Sequence, residues 1–404
     1  MQIAPVLSAL RRHRLASAII VAEIALACAI LCNAISVVAS RLSLMQIPSG
    51  LAESELVDFG MFGFSSGGAS AEPALNALRQ IPGVRGVTVL NSLPFSGSRN
   101  QTSISTRPED IDSGINDVAR YMGPPGTLQT LGLHLVAGRD FRPDEYVGLD
   151  SSLLPSSAHS VILSHALAHK LFGGHGAVGL SVFIDKRRLT VVGVVARLVQ
   201  ANVTDQASTG YSMLLPVTAA GSGSFPAQYY ALRTDPRQRQ AVLKQAGAVL
   251  KKLDPKLVSF QAKTFSDQRA DFFSRDRDLA GLLIGVCVLL LLVTALGIVG
   301  LASFWVAQRT RTIGIRRALG ATRTDILTYF QTENFLIVGA GVVLGMIAAY
   351  GLNLWLMQQF EISRLPWFYL PVGAVALWLL GQLAVLAPAL RAAAVPPVVA
   401  TRTV

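Results

Sequence analysis

The chain has 404 residues, of which 51% are hydrophobic, and its formal net charge at pH 7 is +11. This hydrophobic share is high for a soluble globular protein, so the composition favours a membrane protein. A strongly positive charge can indicate nucleic-acid binding. Here, however, many arginines flank long apolar runs, which is the pattern of membrane topology. Nucleic acid is therefore not expected among the partners.

The first apolar run covers residues 15–40 and follows a short basic tail, residues 1–14. A helix needs about 20 apolar residues to span the hydrocarbon core, so the run predicts a membrane-spanning helix. It is too long for a cleavable signal peptide, and no small-residue cleavage site is followed by a polar break before Ser40. The basic tail predicts a cytoplasmic N-terminus.

Two features of this first run invite a functional interpretation. Glu23 is an acidic residue at membrane depth, where function is the default explanation. We favour instead packing against another helix or a neighbouring subunit near the cytoplasmic interface. Cys28 and Cys32 are four residues apart and therefore share a helix face. A metal or redox pair is the alternative, but we favour small packing residues, as for Cys287 in a later apolar run.

Residues 41–278 form one large segment without cysteine, predicted to be an α+β domain outside the cytoplasm. Its predicted elements are a helix at 73–80, a strand at 84–90, strand, helix and two strands across 161–195 with Ser164 as the helix N-cap, a strand at 227–234 and a helix at 238–253. Residues 41–48 and 262–278 are predicted as paired helical stalks. Residues 60–70 are rich in glycine and serine, which predicts a flexible loop; a mobile apolar lip is the alternative.

Three further apolar runs predict membrane helices at residues 279–308, 334–360 and 365–390, with an outer loop at 361–364 and a cytoplasmic tail at 391–404. Residues 309–333 separate the first two of these runs. They carry Arg309, Arg311, Arg316, Arg317 and Arg323, and no acidic residue precedes Asp325. A short arginine-rich loop between two spans lies on the cytoplasmic side.

The arginine-rich segment also has apolar residues at roughly helical spacing, namely Ile315, Leu319, Ile326 and Phe330. This spacing predicts a short amphipathic helix with its apolar stripe opposite the arginines. Composition alone also fits a linker that lies on the membrane, with its arginines at anionic lipid headgroups.

Residues 309–322 read Arg-x-x-x-Ile-Gly-Ile-Arg-Arg-Ala-Leu-Gly-Ala-Thr, which resembles the signature of the MacB/FtsX family of ABC-transporter permeases. Other phrases resemble the same family: Ile-Pro-Gly-Val at 81–84, Gly-Arg-x-Phe at 138–141, Val-Val-Gly-Val-Val at 191–195, and the closing segment from Pro388 to Pro396. The resemblance implies an α-helical membrane protein with four transmembrane helices. It also implies a large α+β periplasmic core domain, with helical stalks at both ends, between the first two helices.

In that family, the arginine-rich segment is the coupling helix that docks into a separate ATPase subunit. The residues that the resemblance assigns to this coupling are Arg311, Ile313, Gly314, Ile315, Arg316, Arg317, Ala318, Leu319, Gly320 and Ala321. We expect Ile313, Gly314, Ile315, Leu319 and Gly320 to fit the shape of the ATPase. The three arginines would supply charge pairing or lipid contact.

The resemblance implies a permease subunit in the bacterial cytoplasmic membrane, with both termini cytoplasmic and the large domain periplasmic. Its partners would be the ATPase subunit, a second permease copy or paralogue, membrane lipid, a periplasmic adaptor and an outer-membrane channel. ATP hydrolysis would drive movement of the outer domain, termed mechanotransmission, for export or extraction of a peptide, antibiotic, lipid or lipoprotein. The alternative is an FtsX-like signalling scaffold that activates a periplasmic cell-wall hydrolase.

The sequence offers little support for an enzyme. It contains no G-x-x-x-x-G-K-[ST] phosphate-binding loop, and the glycine-rich residues 173–179 lack the lysine. ATP and magnesium are therefore assigned to the partner subunit, and no cofactor to this chain. His165, His169 and His175 could suggest zinc, but no glutamate, cysteine or carboxylate completes a ligand set, so we favour surface histidines.

Overall fold

The computed structural model describes residues 14–62, 71–109, 114–148, 155, 157–185, 187–204, 206–219, 228–253, 259–360 and 366–394. The helices are α1 (Arg14–Met45), α2 (Glu72–Arg79), α3 (Thr127–Leu131), α4 (His165–Phe172), α5 (Arg239–Leu253), α6 (Phe265–Phe272), α7 (Ser274–Ala318), α8 (Arg323–Phe360) and α9 (Tyr369–Ala393). The strands are β1 (Leu56–Phe62), β2 (Val84–Leu90), β3 (Gln101–Ile104), β4 (Ile115–Gly123), β5 (Leu135–Gly138), β6 (Ser160–Ser164), β7 (Ser181–Ile184), β8 (Arg187–Val195), β9 (Ser212–Pro216), β10 (Gln228–Thr234) and β11 (Ser259–Thr264).

The chain divides into two compact units. The outer unit is Leu44–Arg275, and the membrane unit combines Met1–Ser43 with Asp276–Val404.

The smaller sheet of the outer unit has the antiparallel order β11–β1–β10–β2. Successive side chains of a strand point to opposite faces, so β1 contributes to two cores. Val57 and Phe59 pack with α2 and α5, whereas Leu56 packs with a group of phenylalanines that includes Phe95 and Phe265. The structure contains the predicted helix followed by a strand, as α2 and β2, and the predicted strand followed by a helix, as β10 and α5.

The larger sheet has the mixed order β3–β4–β9–β6–β8–β5, with β7 also paired to β8. Strand β6 is buried along its whole length between β8 and β9. The helix α4 follows it directly, and the predicted N-cap is confirmed because Ser164 Oγ accepts a hydrogen bond from the Leu167 N–H at 3.3 Å. Gly173, with φ +62°, ends the helix.

The Gly-Arg-x-Phe turn after β5 is held by an ion pair. The Arg139 guanidinium donates to both carboxylate oxygens of Glu145 at 2.7 Å, and Ser160 Oγ donates to the same carboxylate at 2.8 Å. Chiefly through the hydrogen bond from Arg139, these donors lower the pKa of Glu145 to about 2. The turn is therefore fixed by bidentate pairing at neutral pH.

Two predictions for the outer unit need correction. The stalk predicted at 262–278 begins as a strand, because residues 262–264 belong to β11 and pair with β1; helix starts only at α6. Residues 60–62 belong to β1 and not to a loop, since they pair with both neighbouring strands. The remainder of the predicted loop, residues 63–70, lies outside the described residues.

Four helices in the described part of the chain are long and apolar enough to cross a membrane, namely α1, α7, α8 and α9, which agrees with the predicted spans. Their ends differ from the apolar runs. Helix α7 has 45 residues, which corresponds to about 68 Å at 1.5 Å per residue. It continues ten residues beyond the predicted span, from 308 to 318, and arginine and alanine in this extension are residues that favour a helix.

Helix α1 packs against α8 and α9 at glycines. A Cβ atom added at Gly341 would lie 2.7 Å from Ile24 Cγ2, and one at Gly373 would lie 2.6 Å from Cys32 Sγ. Cys28 and Cys32 are buried at this contact with their sulfurs 3.9 Å apart, which supports packing as their role. Glu23 lies against α7, where its carboxylate would be 3.0 Å from a Cβ atom added at Gly297.

Candidate functional site at the arginine-rich hairpin

The arginine-rich segment is a helical hairpin and not a separate amphipathic helix. We define the arginine hairpin as residues 309–333, which comprise the end of α7, a turn at 319–322 and the start of α8. The predicted short helix is therefore wrong, because α7 runs directly into the turn. Gly320, with φ +100°, adopts the left-handed conformation that stops α7.

Hydrogen bonds close both helix ends at the turn. The Ala321 N–H donates to Arg316 O at 3.0 Å and the Gly320 N–H to Arg317 O at 3.1 Å, the Schellman pattern of a helix C-terminus. On the other side, the Thr322 N–H donates to Asp325 Oδ2 at 2.9 Å, and Thr322 Oγ1 accepts from the Asp325 N–H at 3.2 Å. This reciprocal capping box fixes the start of α8.

The inner face of the hairpin packs on the end of α9. Ile313, Ile326 and Phe330 form a buried cluster with alanines of α9, and Gly314 is also buried. Arg317 Nη1 donates to Ala393 O at 3.2 Å and so ties the hairpin to the last residues of α9. Ile313 and Gly314 are therefore buried within the chain, and the role predicted for them in fitting the ATPase stays a prediction.

The outer face carries the remaining predicted coupling residues. Leu319 is 83% exposed and Ile315 is 49% exposed. The other exposed members of the predicted set are Arg311, Arg316, Ala318 and Gly320, with Ala321 half-buried.

The predicted stripe thus separates into two parts, since Ile326 and Phe330 point inward while Ile315 and Leu319 point outward. The chain reverses at Gly320, so one helical spacing does not continue across the turn.

Three arginines of the hairpin have contacts within the chain. The Arg316 guanidinium lies over the Tyr329 ring at 5.1 Å, and Arg317 contacts α9. Arg309 pairs with Glu333 of α8, with Nη1 at 3.2 and 3.0 Å from the two oxygens, and Glu333 is 2% exposed. The ion pair was not predicted; the signal for it is an acidic residue beside an apolar run, which needs a partner.

The histidines do not assemble into a metal site within the described residues. His165 and His169 lie exposed on α4 with their ring centroids 6.3 Å apart, and His175 lies in the following turn. No group of three histidine, cysteine, aspartate or glutamate side chains is placed to hold a metal ion in the described part of the chain.

Family models match most of the chain. The MacB-like periplasmic core domain matches residues 18–249, and the FtsX-like permease C-terminal domain matches residues 284–397. The first match covers more than half of the chain and extends from α1 through most of the outer unit. The second contains the arginine hairpin.

Named relatives share the same regions. The macrolide export ATP-binding/permease protein MacB of Chromobacterium violaceum is 28% identical over 312 residues, covering 73% of this chain and 44% of that protein. The uncharacterized ABC transporter permease YknZ of Bacillus subtilis is 22% identical over 340 residues, covering 84% of this chain and 81% of that protein. The chain thus spans less than half the length of that MacB protein.

A solved structure of the periplasmic region of MacB from Actinobacillus actinomycetemcomitans also matches. It has a TM-score of 0.37 and 15% identity, and it covers 56% of this chain and 95% of that chain.

Proposed function

Because the chain belongs to the family of ABC-transporter permeases with a MacB-like periplasmic core domain and an FtsX-like permease region, we propose that it is driven by a separate ATPase subunit docked on its arginine hairpin. The chain itself carries no phosphate-binding-loop pattern. ATP and magnesium are assigned to that partner. The MacB relative is named as an ATP-binding/permease protein, so the two activities occur together in this family.

The observation that carries the docking proposal is the exposed Leu319 at the tip of a turn that is capped on both sides. An apolar side chain held outward by fixed backbone is typical of an anchor that fills a pocket in a partner. Ile315 extends this apolar surface, and Arg311 and Arg316 are exposed beside it. The matching surface on the ATPase would be an apolar pocket with acidic residues at its rim.

Helix α7 connects the arginine hairpin, where the ATPase is proposed to dock, with the outer unit. It runs without a break from Ser274 to Ala318, and its last residues form one side of the hairpin. A displacement of the tip is passed along a continuous helix because each turn is hydrogen-bonded to the next. We assign mechanotransmission to this helix, with the outer unit as the part that moves.

Transport is favoured over signalling as the output. Relatives are named for the export of macrolides and of syringafactin, so we propose export or extraction of a peptide, antibiotic, lipid or lipoprotein. A second permease copy or paralogue would complete the complex, with a periplasmic adaptor and an outer-membrane channel as further partners. A cell-wall hydrolase recovered in their place would favour the signalling alternative.

The docking proposal is tested with Leu319→Asp. Loss of the anchor and burial of a charge are expected to weaken association with the ATPase subunit at least about tenfold. The measurement is the amount of ATPase recovered with the tagged permease from detergent-solubilised membranes, together with ATP hydrolysis.

The matched control is Thr324→Asp, which adds the same charge to an exposed position of the same hairpin but removes no apolar anchor. It is expected to retain the ATPase. Wild-type association in Leu319→Asp, with both variants inserted at equal levels, would refute the assignment.

A further inference from the structure

One arginine of the outer unit binds the end of the first membrane helix. Arg269 lies on α6, the helix between β11 and α7. Its Nη1 donates to the two oxygens of Glu53 at 2.7 and 2.9 Å, and its Nη2 donates to the backbone carbonyls of Met45 and Ile47 at 2.6 and 2.7 Å. The planar guanidinium meets this set of acceptors, which a lysine ammonium could not do in the same geometry.

Of the two carbonyls that Arg269 binds, one belongs to the last residue of α1 and the other, Ile47, lies two residues beyond it. Met45 is the last residue of that helix. The carbonyl groups of the last helical turn have no N–H partner within the helix and therefore need another donor. A cation is also favoured at the negative end of a helix. Glu53 in turn accepts hydrogen bonds from the N–H and Oγ of Ser49 at 3.2 and 2.6 Å. The ion pair between Arg269 and Glu53 therefore also holds the backbone of the segment 45–53.

The surroundings of Arg269 are aromatic. Its guanidinium carbon lies 5.0 Å from the centre of the Phe95 ring, and that ring contacts Phe265, Phe272 and Phe273. Both Arg269 and Glu53 are largely shielded from water. Shielding strengthens the pairing relative to an ion pair at the surface and limits the rotamers available to both side chains.

The membrane unit carries a separate link between the same two chain segments. Arg41 of α1 pairs with Asp276 of α7 at 3.2 Å. Each unit therefore contains one ion pair that connects the segment leaving the first membrane helix with the segment entering the second.

We propose that Arg269 is a positioning residue that holds the end of α1 against α6. The segment that follows α1 and the helix that precedes α7 then move together when the membrane helices move. The proposal rests on the proposed function, since it matters only where the ATPase moves these helices. Without Arg269, a displacement of α7 would turn α6 relative to residues 45–53. The motion would then not be transmitted to the rest of the outer unit.

The test measures the distance across this joint in the complex of permease and ATPase. Spin labels are placed at Gln46→Cys and Ser266→Cys, which are exposed positions of the outer unit, with the native cysteines replaced by alanine. The distance distribution is recorded without nucleotide and after vanadate trapping. For the wild type we expect one narrow distribution that is the same in both states.

The Arg269→Gln variant is expected to keep the ATPase and basal hydrolysis, but its distribution should broaden and shift on trapping. Arg269→Lys should show an intermediate width, and it also replaces Arg269→Gln if that variant does not fold. The matched control is Arg85→Gln, whose guanidinium makes an exposed hydrogen bond to Asp235 in the same unit, at neither label position. It should behave as the wild type.

A narrow and unchanged distance distribution in Arg269→Gln, with the ATPase bound and active, would refute the positioning role of Arg269. Failure of the proposed function gives a different result, because the wild-type chain would then recover no ATPase. In that case the nucleotide-free distribution decides: broadening in Arg269→Gln supports the joint, and an unchanged width overturns it.

Discussion

Asp58 is a buried acid on β1, an interior strand of the smaller sheet. It is 2% exposed, and its Oδ1 has no hydrogen-bond partner among the residues that the structure describes. Lys263 lies directly opposite on β11 but bonds to Asp271 at 2.5 Å. Burial raises the pKa of Asp58 to about 8, a shift that nearby Lys263 opposes and nearby Asp267 on α6 increases. Tyr229 of β10 is a further titratable group close to this carboxyl.

A pH dependence of stability follows from this carboxyl. Between its ordinary pKa near 4 in the unfolded chain and about 8 in the folded chain, the folded state holds the additional proton. Stability should therefore fall as pH rises through this interval. Asp58→Asn should remove the decline and stabilise the outer unit by on the order of 1 kcal/mol or more at pH 8. Urea unfolding of the full chain from pH 5 to 9 measures both curves, and parallel curves would contradict the prediction.

At the scale of elements, close approach of α1 to α8 depends on glycine. Gly341 and Gly345 are four residues apart on α8 and receive Ile24 and Cys28 of α1. A Cβ atom at Gly345 would clash with Cys28 Cβ and lie 2.8 Å from Ala25 O, so even alanine does not fit there. This is the packing that small residues permit between membrane helices.

Gly345→Val is therefore expected to destabilise the membrane unit by about 1–3 kcal/mol through overpacking. The measurement is the midpoint of thermal unfolding in detergent. Gly351→Val is the control, because nothing lies within 4 Å of a Cβ atom at that exposed position of the same helix. Equal midpoints for the two variants would show that the close contact does not contribute.

The same scale shows what the sequence predicts and what it leaves open. Long apolar runs predict the membrane helices, and local caps such as Ser164 are recognisable because their partners are three residues away. The end of α7 is not recognisable from the sequence, because the end of an apolar run marks the edge of the lipid and not the end of the helix. Pairs such as Arg309 with Glu333, or Arg269 with Glu53, join distant positions, and only the tertiary fold brings them together.

For the whole molecule, the distribution of charge predicts an orientation in the membrane. The arginine hairpin carries five arginines before its first acid, which predicts that it lies in the cytoplasm together with both termini. The match to the MacB-like periplasmic core domain supports the prediction that the outer unit is periplasmic.

This orientation is tested with single cysteines and a membrane-impermeant maleimide. A cysteine at the exposed Asp144 of the outer unit should react in intact spheroplasts, whereas one at Leu319 should react only in inverted vesicles. Protein without introduced cysteine controls for Cys28, Cys32 and Cys287. The reverse pattern of labelling would contradict the assigned topology.

The closed turn at the tip of the hairpin has a consequence for the thermodynamics of assembly. Its backbone is already fixed by the Schellman hydrogen bonds before α8 and by the capping box of Thr322 and Asp325. Association normally costs conformational entropy when a loop becomes ordered. Here that cost is largely met during folding, so more of the contact free energy at Leu319 remains available as affinity. Pre-organisation of this kind allows a small surface to bind its partner tightly.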